Sequence, residues 1–157
     1  MSLLDGVHHL ATLTADLDRL IAFYERIFGA RLVADIEEEG LRHAFIELGP
    51  MTLLHPFQIP GIDVPQGELA IFDRGRIDHF ALRASSLEAF RELHRRAVAN
   101  AVDSGEVTDV GPILQFGVTD PDGLWIEVTW VKPGMTIEGS SSRRAGWRTV
   151  DLETYTG

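Results

Sequence analysis

The apolar positions of the chain change period twice, in the same order. A strand-like run, Val7-His8-His9-Leu10-Ala11-Thr12-Leu13, gives way to helical spacing at Leu17, Leu20, Ile21, Tyr24, Ile27 and Phe28, with Asp16 placed to cap the helix and Gly29 to end it. At an offset of 70, Ile77-Asp78-His79-Phe80-Ala81-Leu82-Arg83 opens the same series. There Ser85 with Glu88 forms a capping box, and Leu87, Phe90, Leu93 and Ala97 continue the stripe.

Three short β-forming runs follow each helix: 30–37, 41–48 and 51–57 in the first half, and 106–110, 113–119 and 124–131 in the second. Gly40, Gly49-Pro50, Gly111-Pro112 and Asp120-Pro121-Asp122-Gly123 punctuate them where hairpins need unusual backbone angles or a fixed φ. The pattern therefore reads βαβββ twice, an α+β chain built from a repeat. It predicts a first module over 1–57, a connector over 58–75 containing Pro60 and Pro65, a second module over 76–132 and a C-terminal extension over 133–157. In that extension Ser140-Ser141-Ser142 and Arg143-Arg144 precede Trp147, Val150, Leu152 and Tyr155, a stretch apolar enough to dock on the body or on a second subunit.

Composition narrows the partners. A formal charge of −10 repels phosphate backbones and anionic lipid, and the clusters Arg91, Arg95, Arg96 and Arg143-Arg144 read as solvated faces, so neither nucleic acid nor a membrane is expected as a partner. The chain contains no cysteine, which leaves only nitrogen and oxygen donors for a metal and fits a cytoplasmic protein. No uncharged apolar stretch is long enough to span a bilayer, and residues 1–6 lack an export signal.

The repeat also organises the candidate chemistry. His9 and His79 are equivalent positions in the two modules, each followed on its own face by Ala11 or Ala81, small residues that leave room. Glu127 sits in the β-forming run Leu124-Trp125-Ile126-Glu127-Val128-Thr129-Trp130, where an ionised carboxylate is costly unless something positive neutralises it. Two imidazoles and one carboxylate suit a borderline divalent ion such as Fe2+, Mn2+ or Zn2+. His8 is the weaker candidate, because it falls opposite Asp78 on the other face of the strand.

These residues carry a family resemblance. Val7-His8-His9-Leu10-Ala11, Asp16-Leu17, Phe23-Tyr24 and Phe28-Gly29 resemble the first module of the vicinal oxygen chelate superfamily, which includes glyoxalases, bleomycin-resistance proteins and extradiol dioxygenases. Ile77-Asp78-His79-Phe80-Ala81-Leu82 and Asp120-Pro121-Asp122-Gly123 with Ile126-Glu127 resemble its second module, so the likeness covers residues 6–131. It implies an eight-stranded incomplete barrel, a homodimer, and one divalent ion held by His9, His79 and Glu127, with Fe2+ first and Zn2+, Mn2+, Ni2+ or Co2+ as alternatives. Many members place a fourth ligand in the last strand of the first module. The register expected for the last strands places Leu53 opposite Glu127, a departure from the glyoxalase I pattern, with His55 on the same face two residues on.

The reaction implied is first an extradiol-dioxygenase-like oxidation of a vicinal diol. Against it, extradiol members carry a tyrosine ten residues before the glutamate ligand, where this chain has Gly117. The alternative is a glyoxalase-like lyase or isomerase, in which His55 or His43 moves a proton. A fosfomycin-transferase-like role ranks third, because the basic residues expected beyond the glutamate are missing. A metal-free drug-binding protein of the bleomycin-resistance kind remains as a reading from another class, favoured by Phe116, Trp125 and Trp130 and disfavoured by retention of the three ligands.

Overall fold

The computed structural model describes residues 3, 6–64, 70, 72–73, 75–102, 105–136 and 147–156. Its elements run β1 (His9–Leu13), α1 (Leu17–Phe28), β2 (Arg31–Glu38), β3 (Leu41–Gly49), β4 (Thr52–Gln58), β5 (His79–Arg83), α2 (Leu87–Ala99), β6 (Val107–Asp109), β7 (Ile113–Thr119), β8 (Trp125–Val131) and β9 (Arg148–Val150). The βαβββ order thus occurs twice, and β1 with β5, like the starts of α1 and α2, stand 70 residues apart. Two open sheets result, in the orders β1-β4-β3-β2 and β5-β8-β7-β6-β9. This is the expected α+β arrangement of two modules, with β9 as an added edge strand. No helix among the described residues is long and apolar enough to cross a membrane.

The chain forms two units, Met1–Gly67 with Asp120–Gly123, and the remainder of 68–157. In the first unit Asp16 caps α1 by accepting from the Arg19 N–H at 3.0 Å, and Gly29 closes it in the left-handed region at φ 65°. Leu17, Leu20, Ile21, Tyr24 and Ile27 bury the apolar stripe of α1 against Ala44 and Ile46 of β3 and Leu54 of β4. Each such side chain, withdrawn from water, stabilises the fold by about 1.5–3 kcal/mol before chain entropy is counted. The opposite face of this sheet, carrying His9, His43, Phe45, His55 and Phe57, stays at least partly accessible.

The turn Asp120–Gly123, which lies between β7 and β8, belongs with the first unit. The Tyr24 hydroxyl donates to Asp120 at 3.3 Å in a buried setting, and Arg19 meets Asp122 at 2.7 Å. Burial, reinforced by the Asp120 carboxylate, pushes the Tyr24 hydroxyl well above its ordinary pKa, so it remains a donor throughout the working pH range.

The second unit repeats the design with Phe90 and Ala97 of α2 covering Leu114, Phe116, Val118, Ile126 and Val128. Its helix is capped by Ser86, which accepts from the Ala89 N–H at 3.0 Å, rather than by Ser85. A helix starting at Leu87 puts alanine where the capping box needs a glutamate, so Glu88 serves only as an acidic group in the first turn. The tail docks as β9 on β6, pairing Asp109 with Arg148, and Leu152 is buried. The Ser140–Arg144 segment and the centre of the connector lie outside the described residues.

Candidate active site

In the first unit three histidines, His9, His43 and His55, gather on the accessible face of the sheet, and His8 sits beside His9 just before β1. His9 and His55 come from adjacent parallel strands, with ring centroids 5.6 Å apart and nearly perpendicular planes. His43 Nδ1 and His55 Nε2 are 2.9 Å apart, a hydrogen bond between imidazoles. Phe45 stacks on His55 at 3.9 Å and Phe57 stacks on His43 at 5.2 Å, so both rings are clamped by aromatic neighbours. Burial, followed by the nearby His43 and His9, lowers the pKa of His55 and favours its neutral form, the form that accepts a proton or binds a metal. His8 bonds through Nδ1 to His9 Nδ1 at 2.9 Å, which leaves Nε2 of His9 as its available nitrogen.

In the second unit His79 and Glu127 lie on the same face of neighbouring parallel strands, where Ala81 is the direct partner of Glu127. Asp78 accepts from His79 Nδ1 at 2.7 Å, again leaving Nε2 available. A carboxylate behind an imidazole in this way orients the ring and raises its basicity as a ligand. Burial pushes the Glu127 carboxyl upward, opposed by His79, and no arginine or lysine pairs with it among the described residues. A half-buried carboxylate facing an imidazole is a donor set suited to a divalent cation.

Pairing registers correct the position read for the fourth ligand. His9 pairs with Leu53 and Ala11 with His55, while His79 pairs with Trp125 and Ala81 with Glu127. His55, not Leu53, is therefore the counterpart of Glu127. The first strands differ by 70 positions (79 − 9) but these last-strand partners by 72 (127 − 55), a two-residue difference that preserves the face and so escapes an alternation argument. Each unit thus carries a histidine on its first strand and a second donor diagonally across on its last. The candidates are brought together as these two sets, and among the described residues no three histidine or acidic side chains stand at metal-holding separation.

The model of the Glyoxalase/Bleomycin resistance protein/Dioxygenase superfamily matches residues 6–128. The chain belongs to this superfamily. Lactoylglutathione lyase GLX1 of Arabidopsis thaliana is 30% identical over 139 residues, covering 83% of this chain and 45% of the relative. The superfamily member here therefore spans about half the length of that plant lyase. Mouse mitochondrial methylmalonyl-CoA epimerase is 26% identical over 132 residues, covering 80% of this chain and 72% of its own. Among solved structures, the fosfomycin resistance protein FosX of Listeria monocytogenes, complexed with Mn(II) and sulfate, superposes with a TM-score of 0.57 at 18% identity over 83% of this chain and 96% of FosX.

Two features of this superfamily member escape sequence reasoning. Asp78 was placed on the far face by strand alternation, yet as the residue preceding His79 it reaches Nδ1 around the strand edge. Gly117, the cross-strand partner of Glu127, makes room for the Trp125 indole: a Cβ there would lie 2.4 Å from Trp125 Nε1. The signal was the glycine inside an otherwise β-forming run. Gly117→Ala is expected to force the indole aside, lower stability by about 1–3 kcal/mol and shift the tryptophan emission maximum, as unfolding curves and fluorescence spectra would show.

Proposed function

We propose that this chain is a divalent-metal-dependent lyase or epimerase that moves a proton at a carbon next to a carbonyl of a small oxygen-bearing substrate, with His9, His79 and Glu127 as metal donors and His55 as the base. The observation that carries the reading is the register equivalence of His55 and Glu127, which gives each module a first-strand histidine with a last-strand donor. When bound, the ion supplies Lewis-acid polarisation of a substrate oxygen. His55, neutral and clamped between Phe45 and Phe57, accepts the proton as the C–H bond breaks and returns it to carbon, so no redox change is required. His43 holds the His55 ring through their hydrogen bond and fixes which nitrogen faces the open side.

This chemistry ranks ahead of the extradiol oxidation for two reasons. The space at Gly117, where a tyrosine would be needed, is filled by Trp125, and the relatives named above are a lyase and an epimerase. The test is elemental analysis of protein purified anaerobically without a metal-affinity tag, followed by NMR of methylglyoxal hemithioacetals and methylmalonyl thioesters in D2O. Metal at about one ion per chain with deuterium entering the substrate carbon supports the reading. Bound iron with catechol ring cleavage overturns it in favour of a dioxygenase, and neither metal nor exchange makes the chain a binding protein.

Asp78→Ala is expected to weaken metal affinity about 10- to 100-fold with little change in the melting temperature of metal-free protein. Competition with a chromogenic chelator reads the affinity, and unchanged affinity would remove Asp78 from the site.

A further inference from the structure

We infer that Trp125 is a positioning residue for His79, holding its imidazole in one orientation, and that Gly117 in turn sets the place of Trp125; the consequence for metal binding rests on the reading of His79 as a metal donor. His79 and Trp125 are direct partners on the parallel strands β5 and β8, and their rings meet edge to face, 4.9 Å between centroids with planes at 73°. Toward the next strand, β7, the indole is seated on Gly117, where a Cβ would come within 2.4 Å of Nε1 and 2.7 Å of both Cε2 and Cζ2. Gly117 does not occupy the left-handed region, so space for the indole, rather than a backbone angle, is what glycine provides here. A chain of contacts thus crosses the sheet from glycine to indole to imidazole.

The imidazole needs that support. Its side chain is 34% exposed, too open for burial to fix it, and the torsion that turns the ring is broad rather than sharply staggered. The hydrogen bond from Nδ1 to Asp78 at 2.7 Å settles which edge of the ring faces the aspartate, but one point of attachment does not fix a plane. An edge-to-face neighbour supplies the second restraint, because the quadrupoles of two aromatic rings favour that mutual orientation. The first module meets the same need differently. Leu53 stands opposite His9 where Trp125 stands opposite His79, and His9 instead meets the imidazoles of His8 at 5.2 Å and His55 at 5.6 Å. Leucine is therefore the side chain that the repeat itself puts at this place, and Trp125→Leu is the natural variant.

The experiment measures the zinc affinity of the full chain by competition with a chromogenic chelator, and the order parameter of the His79 ring Cε1–H by 13C relaxation in metal-free protein, both well below the melting temperature of every variant. Trp125→Leu is expected to weaken zinc binding about 3- to 10-fold and to lower the ring order parameter, while Trp125→Phe, which keeps an aromatic edge, restores most of both. Gly117→Ala should weaken zinc comparably in the wild-type background and add little in the Trp125→Leu background, since its methyl group acts on the donor through the indole. Unchanged affinity in Trp125→Leu, an equal loss in the leucine and phenylalanine variants, or a full additional loss from Gly117→Ala on top of Trp125→Leu overturns the inference. A wild type that takes up no zinc removes the metal-donor reading, and the ring dynamics then decide the positioning alone: an order parameter lowered by Trp125→Leu and recovered by Trp125→Phe sustains it, and one that does not move overturns it.

Discussion

Glu127→Gln is expected to lose its metal and about a thousandfold or more of its turnover together, the scale of a Lewis acid supplying several kcal/mol to the barrier. Glutamine keeps the shape of the side chain and removes the charge that an ion requires. The stability of metal-free protein should move the other way. Burial disfavours the ionised carboxylate, so ionising it at neutral pH costs folding free energy that a neutral amide does not. Metal-free Glu127→Gln is therefore expected to melt at or above the temperature of metal-free wild type, while metal addition raises the melting temperature of wild type alone. A variant that keeps its metal, or that unfolds far more readily without it, would identify Glu127 as a structural residue.

The second large effect lies far from the proposed chemistry. Asp109→Asn is expected to lower stability by about 3 kcal/mol, the range for removing one partner of a buried ion pair. The Asp109 side chain is only 4% exposed and accepts from Lys132 at 2.6 Å, from the Gly111 N–H at 2.9 Å and from Arg148 at 3.1 Å. Burial acts to raise its pKa, but Lys132, the Gly111 amide and Arg148 outweigh burial and hold the carboxyl below its ordinary range. A depressed folded value contributes stability above the ordinary carboxylate range and loses it as the pH falls through the folded value. The difference between wild type and variant in urea unfolding should thus be full at pH 7 and shrink in acid below that range. A difference independent of pH would assign the effect to packing. Because Arg148 belongs to β9, the variant should also expose the C-terminal segment to proteolysis before the rest of the chain.

The parts of this molecule legible in its sequence are those set by local periodicity. The strand at His9–Leu13, the α1 stripe with its Asp16 and Gly29 caps, and their counterparts 70 residues on follow from spacing and capping chemistry alone. The last strands were recognisable as strands, but their register was not, because moving a strand by two residues keeps every side chain on its face. That is why Leu53 and His55 could not be told apart until the pairing with β1 was known. The His43–His55 bond, the Asp78–His79 bond and the seat of Trp125 over Gly117 depend on neighbours across strands or on rotamers, neither of which leaves a periodic trace. The Asp120-Pro121-Asp122-Gly123 turn was legible as a turn, whereas its attachment to Arg19 and Tyr24 was not.

That attachment gives the fold a timetable. On a ribosome, the first helix emerges 96 residues before the carboxylate that Tyr24 needs, a delay of about 5–20 s at ordinary elongation rates of 5–20 residues per second. Until then the newborn N-terminal half must either hold a phenol hydroxyl without its partner or leave that side of the helix wet, and a premature stop after the first module would make this condition permanent. The apparent duplication is therefore not divisible at its seam: the second repeat carries four residues that finish the first.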